Sequence, residues 1–241
     1  MSRVAIVTGG ASGIGRATAE LLAAQGVRVA ALDRKHADED APSGVAATVT
    51  ADVSDEASVA RAVDQVRSTL GPVDILVNAA GIAAGGVLDD PAYVEAWHAA
   101  LAVNLTGTLH MVRACLDDLV SRGEGRIVNV ASTEGLGAAR HTGPYTVSKH
   151  GVVGLTRSLA VELGRRGVTA NCVCPGATLT GMTAGIPAEA RDRFARRNIP
   201  VGRYGRPEEI AHMIVALTAV EATFVNGAII PVDGGMTAQS Q

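Results

Sequence analysis

Tyr145 and Lys149 stand four residues apart, a spacing that brings two side chains to one face of a helix. A phenol beside an ammonium can carry acid–base chemistry. A free tyrosine titrates near about pH 10, and a neighbouring cation favours its phenolate, so this pairing predicts that Lys149 draws the Tyr145 hydroxyl toward neutrality. The chain holds only two lysines, Lys35 and Lys149, and three tyrosines, which makes the match informative. Pro144 suits the first turn of a helix, and the run that follows to Gly164 has helical character.

A second group of residues could hold a phosphate. Thr8-Gly9-Gly10-Ala11-Ser12-Gly13-Ile14-Gly15 follows an apolar run and leads directly into helical sequence. Glycines at such a junction let the backbone approach a pyrophosphate, and the helix end offers free amides and a positive dipole. The spacing, Gly-x-x-x-Gly-x-Gly, differs from the commoner dinucleotide fingerprint. Asp33 ends the next apolar run some 20 residues on, where a carboxylate can accept from the hydroxyls of an adenosine ribose. A 2'-phosphate there would meet like charge, so NAD is expected over NADP. Arg34 pulls the other way, because a guanidinium could pair with that phosphate or stack on adenine.

Positioning these groups requires a scaffold, and the chain alternates short β-branched runs with helical segments. Val4 to Val7, Val27 to Leu32, Val73 to Val77, Arg126 to Ala131 and Val168 to Val173 read as strands, and Gly13 to Gln25 as a helix. This predicts an α/β fold, a doubly wound Rossmann-type parallel sheet with helices on both faces. No linker or repeat divides the 241 residues, so one domain is expected. Apolar residues make up 47% and aromatics 2%, so the core must be aliphatic. The stretch from about 176 to 206 breaks the rhythm, with an isolated helical piece at Ala188 to Arg197. It reads either as a substrate lid or as a surface excursion, and its place after a strand's carboxyl end favours the lid.

A formal charge of −3 gives no basic surface for nucleic acid or anionic lipid, so neither is expected as a partner. No apolar stretch approaches the roughly 18 residues of a membrane span and no signal-like run opens the chain, so a cytoplasmic protein is expected. Cys115, Cys172 and Cys174 read as small buried thiols, and no metal site is expected from them.

Over essentially its whole length the chain resembles the short-chain dehydrogenase/reductase family. The likeness rests on Thr8-Gly-x-x-x-Gly-Ile-Gly15, Asp52-Val53, Asn78-Ala-Ala-Gly81, Asn104, Ser132, Tyr145-x-x-x-Lys149, Asn171, Pro175-Gly176 and Pro231-Val-Asp-Gly-Gly235, in order. The resemblance implies seven strands and hydride transfer between nicotinamide and a secondary alcohol or ketone. It also implies that Ser132 binds the substrate oxygen, Tyr145 moves its proton, and Lys149 also holds the nicotinamide ribose. The Asn104 backbone would hold a water that extends the proton path. Gly9, Ser12, Gly13, Ile14 and Gly15 would take the pyrophosphate, Asp33 the adenosine ribose, and Arg34 a 2'-phosphate or the adenine. Asp52 and Val53 would lie at the adenine, and Asn78, Ala79, Ala80 and Gly81 beside the adenosine ribose. Pro175, Gly176, Thr178 and Thr180 would surround the carboxamide. Ala79 and Thr178 depart from the family's usual Asn and aliphatic residue.

Between Ser132 and Tyr145, Glu134, Leu136 and His141 are candidates for the substrate pocket, as are Met182 and Ile186 in the lid. An apolar wall of this kind suits a cyclic alcohol, a hydroxysteroid or a 3-oxoacyl substrate. The Arg191, Arg193, Arg196 and Arg197 run could bind an acidic substrate or form a solvated face. Trp97 reads as packing. Gly107, Gly151 and Gly154 fall within helical sequence, where glycine costs about 1 kcal/mol against alanine, so close helix contact is expected there. The resemblance implies a homotetramer joined through these helices. Two other readings remain, a non-catalytic NAD(H)-sensing module and an NADP-dependent reductase of 3-oxoacyl thioesters.

Overall fold

The fold is taken from a computed structural model that describes residues 2–35 and 41–239. Seven strands form one parallel sheet: β1 Val4–Thr8, β2 Arg28–Asp33, β3 Ala47–Thr50, β4 Ile75–Asn78, β5 Arg126–Val130, β6 Thr169–Pro175 and β7 Ile229–Val232. Their order across the sheet is β3-β2-β1-β4-β5-β6-β7, with every pairing parallel. Every residue of β1, β4, β5 and β6 is buried, as strands covered on both faces must be. Alternation sorts them between two cores. Val4 and Ile6 join one with Leu32, Leu76 and Ile127, while Ala5 and Val7 join the other with Val29, Val77 and Val128.

Helices fill both faces. α1 (Gly13–Ala24) and α7 (Pro207–Thr218) pack together, and α2 (Glu56–Leu70), α3 (Tyr93–Ala100), α4 (Gly107–Ser121) and α5 (Gly143–Leu163) supply the rest, with α6 (Ala188–Asn198) in the segment between β6 and α7. The chain leaves β1 toward β2 on one side and returns at β4 on the other. That reversal opens a crevice at the strands' carboxyl ends.

α3 and α4 are joined by a π-helical turn, Leu101–Thr106, into one helix of 29 residues, Tyr93–Ser121. By length and composition alone this helix could cross a membrane, contrary to the sequence expectation that no stretch approaches that length. Met111, Val112, Cys115 and Leu119 nevertheless lie in the core with Leu76 and Ile127 of the sheet. All three cysteines are buried thiols.

The segment from Gly176 to Arg206 is clasped at its base. Leu179 N–H donates to the Gly205 carbonyl at 2.9 Å, and Gly205 N–H to that of Ala177 at 2.9 Å. Within it Arg193, Arg196 and Arg197 are exposed, as on a solvated face.

Two helix glycines have the close contact expected of them. A Cβ on Gly107 would stand 2.8 Å from Val53 Cγ2, and one on Gly151 would stand 2.6 Å from Leu105 Cδ2. Gly154 departs from that expectation, since its Cβ would meet nothing within 4 Å. It is exposed on α5, and Val147 and Val161, seven residues to either side, are exposed too, Val161 by 85%. Trp97 is half-buried.

Candidate active site

The glycine junction fits an anion for reasons visible in its backbone. Gly9 and Gly13 have φ of +67° and +53°, which only glycine adopts without strain. A Cβ on Gly15 would collide with the Gly9 carbonyl oxygen, so α1 can start this close to β1 only with glycine there. Ser12, the N-cap of α1, makes no side-chain cap hydrogen bond, leaving the first amides of the helix open to a ligand. Asp33 is tied to this loop, its Oδ2 accepting from Ala11 N–H at 3.2 Å. Arg34, beside it, is exposed, and its charge reaches Asp52, whose carboxyl is lowered mainly by hydrogen bonds from Ser54.

One cleft of about 690 Å³ unites the predicted cofactor residues at the crevice. Gly9, Ser12, Gly13, Ile14, Gly15, Asp33, Arg34, Asp52, Val53, Ala79, Ala80, Gly81, Pro175, Gly176, Thr178 and Thr180 all line it, and so do Ser132, Tyr145 and Lys149. Residues from seven separate chain regions thus share one space with a phosphate-ready end and a proton-transfer end. The fit to a dinucleotide is good.

Asn78 is the exception. Its amide donates to Asn129 Oδ1 at 2.9 Å, Asn129 in turn donates to Thr156 Oγ1 at 2.9 Å, and neither asparagine lines the cleft. Asn78 therefore ties β4 to β5, because its side chain points along the sheet rather than into the crevice. The cleft also includes Ile82, Val103, Ala177 and Thr183, which the sequence reading missed. Ile82 follows directly on the Gly81 motif, and Ala177 on Pro175-Gly176, so adjacency was the available signal.

Ser132, two residues past β5, caps the 3-10 turn Thr133–Gly135 in extended conformation (φ −174°), and its hydroxyl bears on the Tyr145 phenol. Lys149 Nζ lies 5.5 Å from the Tyr145 ring centroid and donates to the Val130 carbonyl at 2.9 Å. Burial pushes the Lys149 ammonium down to about 8, with the nearby Cys172 and Cys174 opposing the fall. Tyr145 corrects the sequence expectation. Burial pushes its phenol up from the ordinary value, the Ser132 hydroxyl works against that rise, and Glu134 adds to it. Desolvation of the phenolate is the largest of these effects.

Asn104 lies in the π-helical turn and is buried. Its Oδ1 accepts from Ile82 N–H at 2.8 Å, and its amide donates to the Ile82 carbonyl at 3.1 Å and to Ser148 Oγ at 2.9 Å. The side chain thus braces the Gly81–Ile82 turn against α5. Its own carbonyl accepts from Thr108 Oγ1 at 2.8 Å.

Of the substrate candidates, Met182 lines the cleft; Glu134, Leu136, His141 and Ile186 do not. Glu134 is occupied with its own loop. His141 is exposed, holds a left-handed φ of 63°, and gives its carbonyl to Gly86 N–H at 2.9 Å. Leu136 and Ile186 are 40% and 39% exposed outside it.

A buried lysine with one hydrogen bond should cost stability. Its pKa in the fold is below that of the unfolded chain, so between about pH 8 and pH 10.5 the unfolded state binds more protons, and stability from this group rises with pH. Lys149→Met is expected to raise Tm at pH 7 by about 3–6 °C, or about 1–2 kcal/mol, with the gain shrinking above pH 9. Calorimetry at the two pH values checks this, and an unchanged or lowered Tm at pH 7 contradicts it.

Comparison with known proteins agrees with this geometry. A family model described as enoyl-(acyl carrier protein) reductase matches residues 9–237. The chain is 41% identical to a cis-4-hydroxycyclohexanecarboxylate dehydrogenase of Sinomonas cyclohexanicum, covering 98% of this chain and 97% of that one. Its fold superposes on levodione reductase with a TM-score of 0.91 at 35% identity, over 99% and 98% of the two chains. It superposes on an actinorhodin polyketide ketoreductase variant solved with NADPH at a TM-score of 0.90 and 37% identity, over the same shares.

Proposed function

The chain belongs to the short-chain dehydrogenase/reductase family, whose members bind a nicotinamide cofactor and act on CH–OH donors, and from there we propose an NAD(H)-dependent dehydrogenase of a cyclic secondary alcohol. The observation that carries the reaction type is the convergence of Ser132, Tyr145 and Lys149 on the inner end of the cleft. Bound nicotinamide supplies or takes the hydride. Ser132 donates a hydrogen bond to the substrate oxygen and steadies the negative charge that develops on it. Tyr145 exchanges the proton of that oxygen, and Lys149, beside the Tyr145 ring, replenishes the proton and holds a ribose hydroxyl. Asn104 braces the turn that faces Lys149, and its carbonyl, which accepts from Thr108 Oγ1, is the group that would hold a relay water. The segment 176–206 acts as the lid, its clasped base serving as the hinge and Thr180, Met182 and Thr183 among its contacts with the cleft.

NAD is favoured because the Asp33 carboxylate lines the cleft beside the glycine loop, held by Ala11 N–H, where it could accept from ribose hydroxyls and would repel a 2'-phosphate. A second reading, an NADP-dependent ketoreductase, draws on exposed Arg34 and on the NADPH-bound ketoreductase likeness. A spectrophotometric screen of cyclic and open-chain secondary alcohols with NAD and NADP, and of ketones with NADH and NADPH, separates them. Turnover of cyclic alcohols with NAD supports the reading; tight NADH binding without turnover of any compound would favour a sensing module instead.

The expected assembly is a homotetramer. Val147, Gly154 and Val161 form an exposed, seven-residue-spaced stripe of small and apolar residues on α5 that needs covering. Sedimentation velocity should give four protomers, and Val161→Glu should shift the protein to smaller species. A monomeric parent would overturn the assembly.

A further inference from the structure

We propose that Glu134 is a positioning residue that fixes Ser132 and Tyr145 relative to each other, rather than a substrate contact. This rests on the roles proposed above for those two residues.

Glu134 sits in the 3-10 turn Thr133–Gly135 and reaches both partners through different groups. Its backbone N–H donates to Ser132 Oγ at 3.1 Å. That bond occupies an oxygen lone pair and leaves the hydroxyl proton for the Tyr145 phenol or a substrate oxygen. Its carboxylate Oε2 accepts from Ala139 N–H at 3.0 Å and from Thr146 Oγ1 at 2.6 Å, with Thr142 Oγ1 2.9 Å away. Thr142 is the N-cap of α5 and Thr146 lies one turn in, their hydroxyls 2.9 Å apart. Tyr145 stands between them. One side chain therefore clamps the helical turn that carries the proton donor, while its backbone sets the hydroxyl that receives the substrate. The loop it closes is held at its far end by the His141 carbonyl on Gly86.

The same placement gives an electrostatic effect. Tyr145 is held above its ordinary value chiefly by burial, with Ser132 opposing and the Glu134 charge adding to the rise. Lys149 is the charged group that faces it from α5, and Tyr93 of α3 reaches Gly143 in the same turn. Removing the Glu134 charge should therefore make Tyr145 a stronger acid.

The test uses the full chain as Glu134→Gln, Thr146→Val and Tyr145→Phe, singly, and Glu134→Gln combined with Tyr145→Phe. Phenolate absorbance is titrated with and without Tyr145, which isolates its step without any turnover. The step is expected to move down by about half a pH unit in Glu134→Gln and not to move down in Thr146→Val. With the best ketone of the panel above, kcat should fall about 10-fold in both variants while the NADH Kd stays within about twofold. An unmoved phenolate step in Glu134→Gln, or kcat within twofold of the parent in Thr146→Val, overturns the proposal. If Glu134→Gln does not fold, the kcat of Thr146→Val decides alone. If instead the catalytic reading is wrong, Tyr145→Phe keeps its turnover while the titration still reports on Glu134.

Discussion

Tyr145→Phe is expected to bind NADH as the parent does and to lose turnover by about 10³-fold or more. The ring stays, so the packing of α5 and the 5.5 Å approach of Lys149 to the ring persist. Only the exchangeable proton goes. The parent's pH dependence follows from the raised phenol. Alcohol oxidation needs the phenolate, so its rate should climb as pH rises through neutrality into the alkaline range. Ketone reduction needs the phenol and should hold across this range, falling only above the ordinary tyrosine value. Steady-state rates in both directions from pH 6 to 10, with fluorescence titration of NADH, measure this. Turnover retained within tenfold in Tyr145→Phe would remove the residue from the mechanism.

Asp33→Asn should shift the NADP-to-NAD ratio of kcat/KM by about 10–100-fold toward NADP. The carboxylate both accepts ribose hydroxyls and repels a 2'-phosphate, and its amide keeps an oxygen for Ala11 N–H, so the glycine loop should hold its shape. Arg34, exposed next to it, then becomes the nearest charge to a 2'-phosphate. Asp33→Asn with Arg34→Ala should lose most of the gain. An unchanged ratio in Asp33→Asn would mean that the adenosine end lies elsewhere.

The parts of this molecule written in local spacing were readable from the chain. Tyr145 and Lys149 need only a helix between them, and the Gly9–Gly15 loop only a strand before and a helix after. The core strands declared themselves because they are apolar on both faces. β3 and β7 gave no separate signal, since Thr48 and Thr50 of β3 face solvent and Pro231 interrupts the short apolar run of β7. What failed was whatever depends on burial or on where a loop turns. Lys149 was expected to acidify Tyr145, but the desolvation that reverses the direction arises only once β5, α5 and the cleft floor meet. Glu134 looked free in sequence, and its three donors come from residues five to twelve positions on. Asn78 carries a family signature yet spends its amide on a neighbouring strand.

The π-helical turn at Leu101–Thr106 lets the long helix carry one residue more without losing its rotational phase. Each residue of a regular helix advances the side chains by about 100°, and a wide turn holds one residue more than its α-helical counterpart. Removing one residue there would let the hydrogen bonding become regular and leave the flanking segments in phase, so the Met111–Leu119 face could stay in the core. What the deletion takes away is the local widening that carries Asn104 to the Gly81 turn. A one-residue deletion in this turn should thus cost the brace on Ile82 while sparing the core, whereas a one-residue deletion from the regular turns of Gly107–Ser121 would swing everything before it by about 100° relative to everything after.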